Sequence, residues 1–282
     1  MNNQRLNELT ITAAKVRKNA LTGIYKAASG HPGGSLSIAD VLTYLYFEQM
    51  NIDPKNPKNP DRDRFVLSKG HCAPGLYGVL AQRGFFSPDD IASLRQLGSY
   101  LQGHPDMKGI PGVDMSTGSL GQGVSAANAM ALAAKIDNKD YRVYAATGDG
   151  ELEEGQVWEA AMFAAHYKLD NLTVFIDNNG LQIDGDITKV MNPMPIVEKY
   201  AAFGWHTIEI DGHDYNQIES ALKEAINTKG KPTAIICKTI KGKGVSFMEG
   251  QAGWHGSAPN EEQYNQAIAE LDELINRLEG EN

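Results

Sequence analysis

Apolar residues recur at helical spacing along the first stretch of the chain. Leu6, Leu9, Ala13, Val16, Ala20 and Ile24 share one face, which predicts an amphipathic helix over 5–28. Gly30, Pro32, Gly33 and Gly34 interrupt the pattern, so a loop is expected over 29–34. An apolar helix follows at about 38–50, then a connector rich in Pro, Asn and Asp over 53–63. Residues 65–67 read as a short buried strand running into Ser68-Lys69-Gly70-His71. Helices are expected over 73–83 and after Ser87, where Pro88 suits the first helical position. The stretch 98–123 is glycine-rich and loop-like. Residues 124–135 are almost all Ala with Met and Leu, a helix that lets either a neighbouring helix or a flat ligand approach closely.

Beyond residue 141 the period alternates. Apolar strands at 142–147, 172–177, 205–210 and 233–238 are interleaved with helical patterns at 155–167 and 215–227. Such alternation predicts an α/β fold, a parallel sheet flanked by helices on both faces. No repeat or low-complexity linker divides the chain. One domain over 1–282 is expected, with a polar helical tail from about residue 260.

With 282 residues the chain can bury a full core. Its formal charge of −9 repels phosphate backbones and anionic lipid, which argues against nucleic-acid and membrane partners. No apolar run reaches the roughly 18 residues of a spanning helix, and the N-terminal stretch has no signal-peptide core, so a cytoplasmic location is expected. Cys72 and Cys237 lie far apart without CxxC spacing and read as reduced cysteines.

Asp149 falls just past the strand at 142–147, and Asn179 just past that at 172–177. With the helix between them they form one right-handed βαβ unit, so both strand ends open on the same sheet edge. A carboxylate and an amide oxygen side by side are hard donors, suited to Mg²⁺ or Ca²⁺ rather than zinc. Gly148 and Gly150 leave backbone N–H groups accessible to a diphosphate near a helix start. GDG or DNNG alone is ordinary turn chemistry; together in this context they point to a metal–diphosphate site. His31, His71, His104 and His255 lie in loops flanked by Gly or Pro. Any one of them reads as a surface or satisfied histidine, but four at strand-end loops can converge on one pocket. Imidazoles there can bind sugar hydroxyls and move protons near neutral pH. No HxxxH or HExxH spacing supports zinc. His166, His206 and His213 read as structural, and Glu154 and Glu159 as favourable charge at a helix start.

The stretch GDGELEEGQVWEAAMFAAHYKLDNLTVFIDNNGLQIDG resembles the thiamine diphosphate motif of transketolases. ASGHPGG at 28–34, SKGH at 68–71, GHPD at 103–106, STGSLGQG at 116–123, KTIKGKG at 238–244 and WHG at 254–256 agree with that family in order. The resemblance implies thiamine diphosphate and a divalent metal, Mg²⁺ with Ca²⁺ or Mn²⁺ as substitutes, held by Asp149, Asn179 and the carbonyl of Leu181. It implies cofactor contacts at Gly150, with Glu151 beside it, and at Gly118, Ser119 and Leu120, where the family's backbone holds the aminopyrimidine. Lys241 and His255 match residues near the diphosphate, although lysines in such a stretch otherwise read as a solvated loop. The four loop histidines match those around the thiazolium and the first carbons of the substrate, His71 also contacting the cofactor. Glu154 falls near a contact between subunits.

In the same family a second domain supplies a glutamate that promotes cofactor ionisation, an aromatic pocket for the pyrimidine, and arginines that grip a sugar phosphate. No further strand–helix units follow WHG to provide these. The expectation is the N-terminal subunit of a split transketolase, active in pentose phosphate metabolism. It transfers a two-carbon ketol unit from a ketose phosphate to an aldose or aldose phosphate. A separate C-terminal pyrimidine-domain subunit completes the site in an α2β2 heterotetramer. The rival readings are a subunit like 1-deoxyxylulose-5-phosphate synthase or a 2-oxo acid dehydrogenase, a non-catalytic thiamine diphosphate-binding protein, and a fragment of a longer enzyme.

Overall fold

A computed structural model describes residues 1–280. The first amphipathic pattern forms α1 (Asn3–Ala27), opened by the Asn2 side chain accepting from the Arg5 N–H at 2.8 Å. The next helix, α2 (Pro32–Ser37), begins inside the stretch expected to be a loop. Pro32 takes the first turn, where no N–H is needed. Gly33 and Gly34 serve close approach rather than a turn: a Cβ would stand 2.8 Å from Lys241 Cγ at one and 2.6 Å from Cys72 Sγ at the other. The apolar helix at 38–50 is α3 (Ala39–Tyr44) followed by a π turn, Leu45–Gln49. Then come β1 (Arg64–Leu67) and α4 (Ala73–Arg83). The segment after Ser87 is a 3₁₀ turn, Pro88–Ser93, rather than an α-helix.

The alanine-rich helix is α5 (Gln122–Ile136), which leads into the βαβ unit β2 (Val143–Gly148), α6 (Gly155–His166) and β3 (Leu172–Asn178). A small hairpin of β4 (Leu181–Gln182) and β5 (Gly185–Asp186) follows, then short helices α7 (Ile187–Val190) and α8 (Ile196–Ala202). These pieces are too short to show a period. The chain continues through β6 (His206–Asp211), α9 (Tyr215–Asn227) and β7 (Thr233–Lys238) to α10 (Glu261–Gly280).

The main sheet has the order β1-β2-β3-β7-β6 and every pairing in it is parallel. Side chains alternate between its faces with period 2. Tyr144, Ala146, Phe175 and Ile235 pack with α1, α3, α4 and α9, while Val143, Ala145, Val174 and Ile236 pack with α5, α6 and α8. The expected polar tail has an apolar stripe: Ala267, Leu271 and Ile275 of α10 bury against Ile11, Ala14 and Leu21 of α1. Because the strands are parallel, the carboxyl ends of β1, β2, β3 and β7 lie along one edge. Gly148 pairs with Asp177 there, and Asn178 with Lys238.

Candidate active site

Each of those four strand ends delivers chemistry to that edge. β1 runs into Ser68, Lys69 and His71, β2 into Asp149, β3 into Asn179, and β7 into the segment that carries Lys241. One cavity of about 270 Å³ is lined by His31, His71, Gly118, Leu120, Gly148, Asp149, Gly150, Glu151, Asn179, Leu181, Lys241 and His255 among others. Ser119 instead lines a smaller pocket, which shares Gly118 with the first.

Asp149 accepts from the N–H groups of Gly150 at 2.9 Å and Gly180 at 2.6 Å, so its own turn and the one after β3 close on one carboxylate. Burial pushes its pKa up to about 6, and nearby Asp177 adds to the rise. Asn179 Oδ1 accepts from the Leu181 N–H at 3.1 Å. The Leu181 carbonyl accepts from Lys241 Nζ at 3.0 Å, which leaves that oxygen a second lone pair. Carboxylate, amide oxygen and carbonyl thus sit on one cavity wall. No group of three His, Cys, Asp or Glu side chains among the described residues is placed to hold a metal. The donor set is all oxygen and fits Mg²⁺ or Ca²⁺ better than zinc.

Behind that wall is a fully buried ion pair. Asp177, the penultimate residue of β3, accepts from Lys69 Nζ, Ser37 Oγ and Thr239 Oγ1, with Asn179 Nδ2 at 3.4 Å. Burial alone would raise the Asp177 pKa, but the Lys69 ammonium and these donors hold it below the usual carboxylate range. Neither residue stands out by periodicity. The available signal is an acid ending an otherwise apolar strand, which demands a buried partner, and a lysine within the SKGH motif. Glu151 is also buried. Its carboxylate accepts from Ser68 Oγ and from the N–H groups of Gly121 at 2.9 Å and Gly148 at 3.1 Å, fastening three loops together.

Three of the four loop histidines meet. Ring centroids are 5.1 Å apart for His31 and His71, 5.2 Å for His71 and His255, and 5.5 Å for His31 and His255. His104 stands at the edge, its ring against Gly118, where a Cβ would lie 3.0 Å from His104 Cδ2. Tyr77 of α4 anchors its loop by donating to the carbonyls of Gln102 and His104. Burial, followed by neighbouring positive charge and imidazole, lowers His31 and His71 to about 4 and His255 to about 3. All three rings are neutral near pH 7, each with one donor and one acceptor nitrogen. Lys241 Nζ lies 2.9 Å from His255 Nδ1, so that nitrogen is the acceptor. His31 Nδ1 is buried and has no hydrogen-bond partner among the described residues.

Of the remaining histidines, His213 joins Asp40 at 2.7 Å to the Ile240 N–H at 2.9 Å, and His206 meets Glu224 at 2.8 Å; both are structural contacts. Glu154 is the N-cap residue of α6 and Glu159 lies within that helix, both exposed. No helix among the described residues is long and apolar enough to cross a membrane.

The chain matches the family described as transketolase, thiamine diphosphate binding domain, over residues 9–272. It is 49% identical over 266 residues to the 6-deoxy-6-sulfo-D-fructose transketolase subunit SqwG of Clostridium sp. (strain MSTE9), covering 94% of this chain and 96% of the relative. It is 45% identical to an apulose-4-phosphate transketolase subunit of Phocaeicola vulgatus, covering 99% of both. The crystal structure of transketolase from Campylobacter jejuni superposes with a TM-score of 0.87 at 34% identity, covering 99% of this chain and 46% of that one. The fold, the cavity and these likenesses agree: the chain belongs to the transketolase family, of which it is a thiamine diphosphate-binding domain.

Proposed function

We propose that the chain is the cofactor-binding subunit of a two-chain transketolase. In this reading it transfers a two-carbon ketol unit from a ketose phosphate to an aldose or aldose phosphate, in the cytoplasm and within pentose phosphate metabolism. The observation that carries this is one cavity lined both by the oxygen donors of Asp149, Asn179 and Leu181 and by three neutral histidines, with Lys241 between the Leu181 carbonyl and His255. Sugar chemistry needs such imidazoles, whereas a 2-oxo acid decarboxylating site has no hydroxyl-rich fragment for them to hold.

Bound thiamine diphosphate supplies the carbon nucleophile that cleaves and remakes the ketol carbon–carbon bond. Asp149, Asn179 and the Leu181 carbonyl would hold Mg²⁺ against the diphosphate, and the Gly150 backbone would approach it closely. Lys241 adds positive charge on the same wall. His31 and His255 are assigned to the substrate's oxygens, as paired donors and acceptors for hydroxyl and carbonyl. His71 and His104 support the cofactor and the fragment in transit. A neutral ring can take a proton from an oxygen at its free nitrogen, while its N–H donates a hydrogen bond.

The two-chain reading is supported by two relatives, each named as one subunit of a transketolase, matched over 96% and 99% of their own length. A C-terminal chain with the pyrimidine-binding domain would close the cavity, two copies of each forming a heterotetramer. The test is reconstitution with Mg²⁺, thiamine diphosphate, D-xylulose 5-phosphate and D-ribose 5-phosphate. The purified chain alone should show negligible transfer, and addition of the cognate second chain should restore it. Full turnover by rigorously partner-free chain would overturn the two-chain reading.

A further inference from the structure

His213 lies outside the cavity, yet its ring joins a buried ion pair to the residue before Lys241. It sits on the turn between β6 and α9. Gly212 lets that turn lie against the end of β7: a Cβ there would stand 2.5 Å from Thr239 Cγ2, and its N–H donates to the Lys238 carbonyl at 2.8 Å. The ring is thereby set between α3 and the segment after β7. Nδ1 is 2.7 Å from Asp40, and Nε2 is 2.9 Å from the Ile240 nitrogen. A backbone N–H can only donate, so Nε2 is the acceptor and the proton is on Nδ1, facing the carboxylate.

The base of this bridge is rigid. Arg17 donates to Asp40 with Nη1 at 3.2 Å and Nη2 at 2.6 Å, and Tyr215 donates with its hydroxyl at 3.2 Å. Arg17 Nε in turn donates to the Leu36 carbonyl at 3.2 Å, and both charged groups are buried. The other end is different. The Ile240 N–H lies at the surface, where water would serve it as an acceptor. What the imidazole adds there is position, because it ties an exposed backbone segment to the pair between α1 and α3. The backbone is then pinned on both sides of Lys241, by His213 at Ile240 and by the Gly33 carbonyl, which accepts from the Gly242 N–H at 3.0 Å. From that pinned segment Lys241 reaches the cavity wall, with Nζ 3.0 Å from the Leu181 carbonyl and 2.9 Å from His255 Nδ1.

We propose that His213 is a positioning residue for the cofactor site: by holding the Ile240 N–H against the Arg17–Asp40 pair, it fixes the Lys241 ammonium on the cavity wall assigned above to the diphosphate. The proposal rests on that assignment of Lys241 and adds to it a residue that touches neither cofactor nor substrate. A lysine is a point charge on a flexible four-carbon stem, so its strength as an anion partner depends on where its backbone is anchored. With the anchor released the ammonium samples more positions, and ordering it on binding costs affinity.

The two halves of the bridge can be removed separately in the reconstituted two-chain complex. In H213N the amide takes the place of Nδ1 and still donates to Asp40, but nothing accepts from Ile240. In H213Q the side-chain oxygen takes the place of Nε2 and accepts from Ile240, while Asp40 loses a donor. Stability and cofactor affinity should therefore fall in opposite orders. H213Q should unfold at the lower temperature. Calorimetric titration with thiamine diphosphate in Mg²⁺ should show binding weakened about tenfold in H213N and less than about threefold in H213Q. H213N/K241M should bind no more than about twofold more weakly than K241M, because the bridge acts through that lysine. Affinities that follow stability, or a full H213N loss on top of K241M, would make His213 a purely structural residue and overturn the proposal. Hydrogen exchange over residues 239–242, read by mass spectrometry in the cofactor-free complex, needs no binding. Faster exchange in H213N than in H213Q supports the bridge, and equal exchange overturns it. Unchanged affinity in K241M, with the exchange difference present, counts against the assignment of Lys241 to the diphosphate rather than against the bridge.

Discussion

Two polar regions lie side by side at the carboxyl edge of the sheet, and they are built on opposite terms. Around Asp177 the bonding is closed: Lys69, Ser37 and Thr239 donate to a carboxylate with no exposure, and the Asn179 amide completes the ring. Around His31, His71 and His255 it is open. Among the described residues one lysine contact serves three rings, and His31 Nδ1 has no partner. Polarity that serves the fold is satisfied within the chain, because an unpaired buried group costs about 1–3 kcal/mol. Polarity left open on a cavity wall is free to meet a ligand. The first region holds the loops at the carboxyl edge in place; the second is where the proposed substrate would bind.

The largest expected effect comes from breaking the closed region. K69M leaves the Asp177 carboxylate buried without its cation, and losing one partner of a buried pair costs about 3–5 kcal/mol. Calorimetric unfolding should show the midpoint fall sharply, and K69M/D177L should recover much of the loss. K69M as stable as wild type would mean that the pair does not hold the fold. Next is D149N, at the boundary between the two regions. The amide keeps the shape and one acceptor for the Gly150 and Gly180 N–H groups but removes the charge. Stability should fall by no more than about 1–3 kcal/mol, because one of the two N–H groups then faces the amide NH2. Affinity of the two-chain complex for thiamine diphosphate in Mg²⁺ should fall at least about 100-fold, since changing an outer partner of a metal ligand already costs 10–100-fold. Unaltered affinity would remove Asp149 from the metal wall.

The same contrast explains what can be read from the residues alone. The βαβ unit is legible because its strands and helix are long enough to show their periods. Asp149 and Asn179 follow from it, because parallel strands must end on one edge. The histidines are legible as a set because each sits beside Gly or Pro in a loop. Lys69 and Asp177 carry no periodic signature: their pairing depends on β1 and β3 lying on either side of β2, which is a property of strand order. The glycines at 33 and 34 imitate a loop because close packing against Lys241 and Cys72 demands the same residue as a turn.

The smallest effect separates the two regions by pH. Unfolded histidines take up protons below about pH 6.5, whereas His31 and His71 resist until about 4 and His255 until about 3. Across that window the unfolded chain binds more protons at these sites, so their contribution to stability falls as pH drops from about 6.5 to 4. Asp149 acts in the opposite sense, because its folded pKa is raised to about 6 and it protonates more readily in the folded chain. Whole-protein acid curves therefore mix the two, and the informative quantity is a difference between proteins. Stability of wild type minus that of H71Q, measured by urea unfolding, should decline between pH 6.5 and 4.5. Asp177, held low beside Lys69, loses its contribution only as pH falls below the ordinary carboxylate range of about 3.9. The difference curve should stay small because His31 and His255 are partly exposed and remain in both proteins. A flat difference across that window would show that the imidazole of His71 is as free to take a proton in the cavity as in the unfolded chain, and the open region would then be solvated rather than waiting for a ligand.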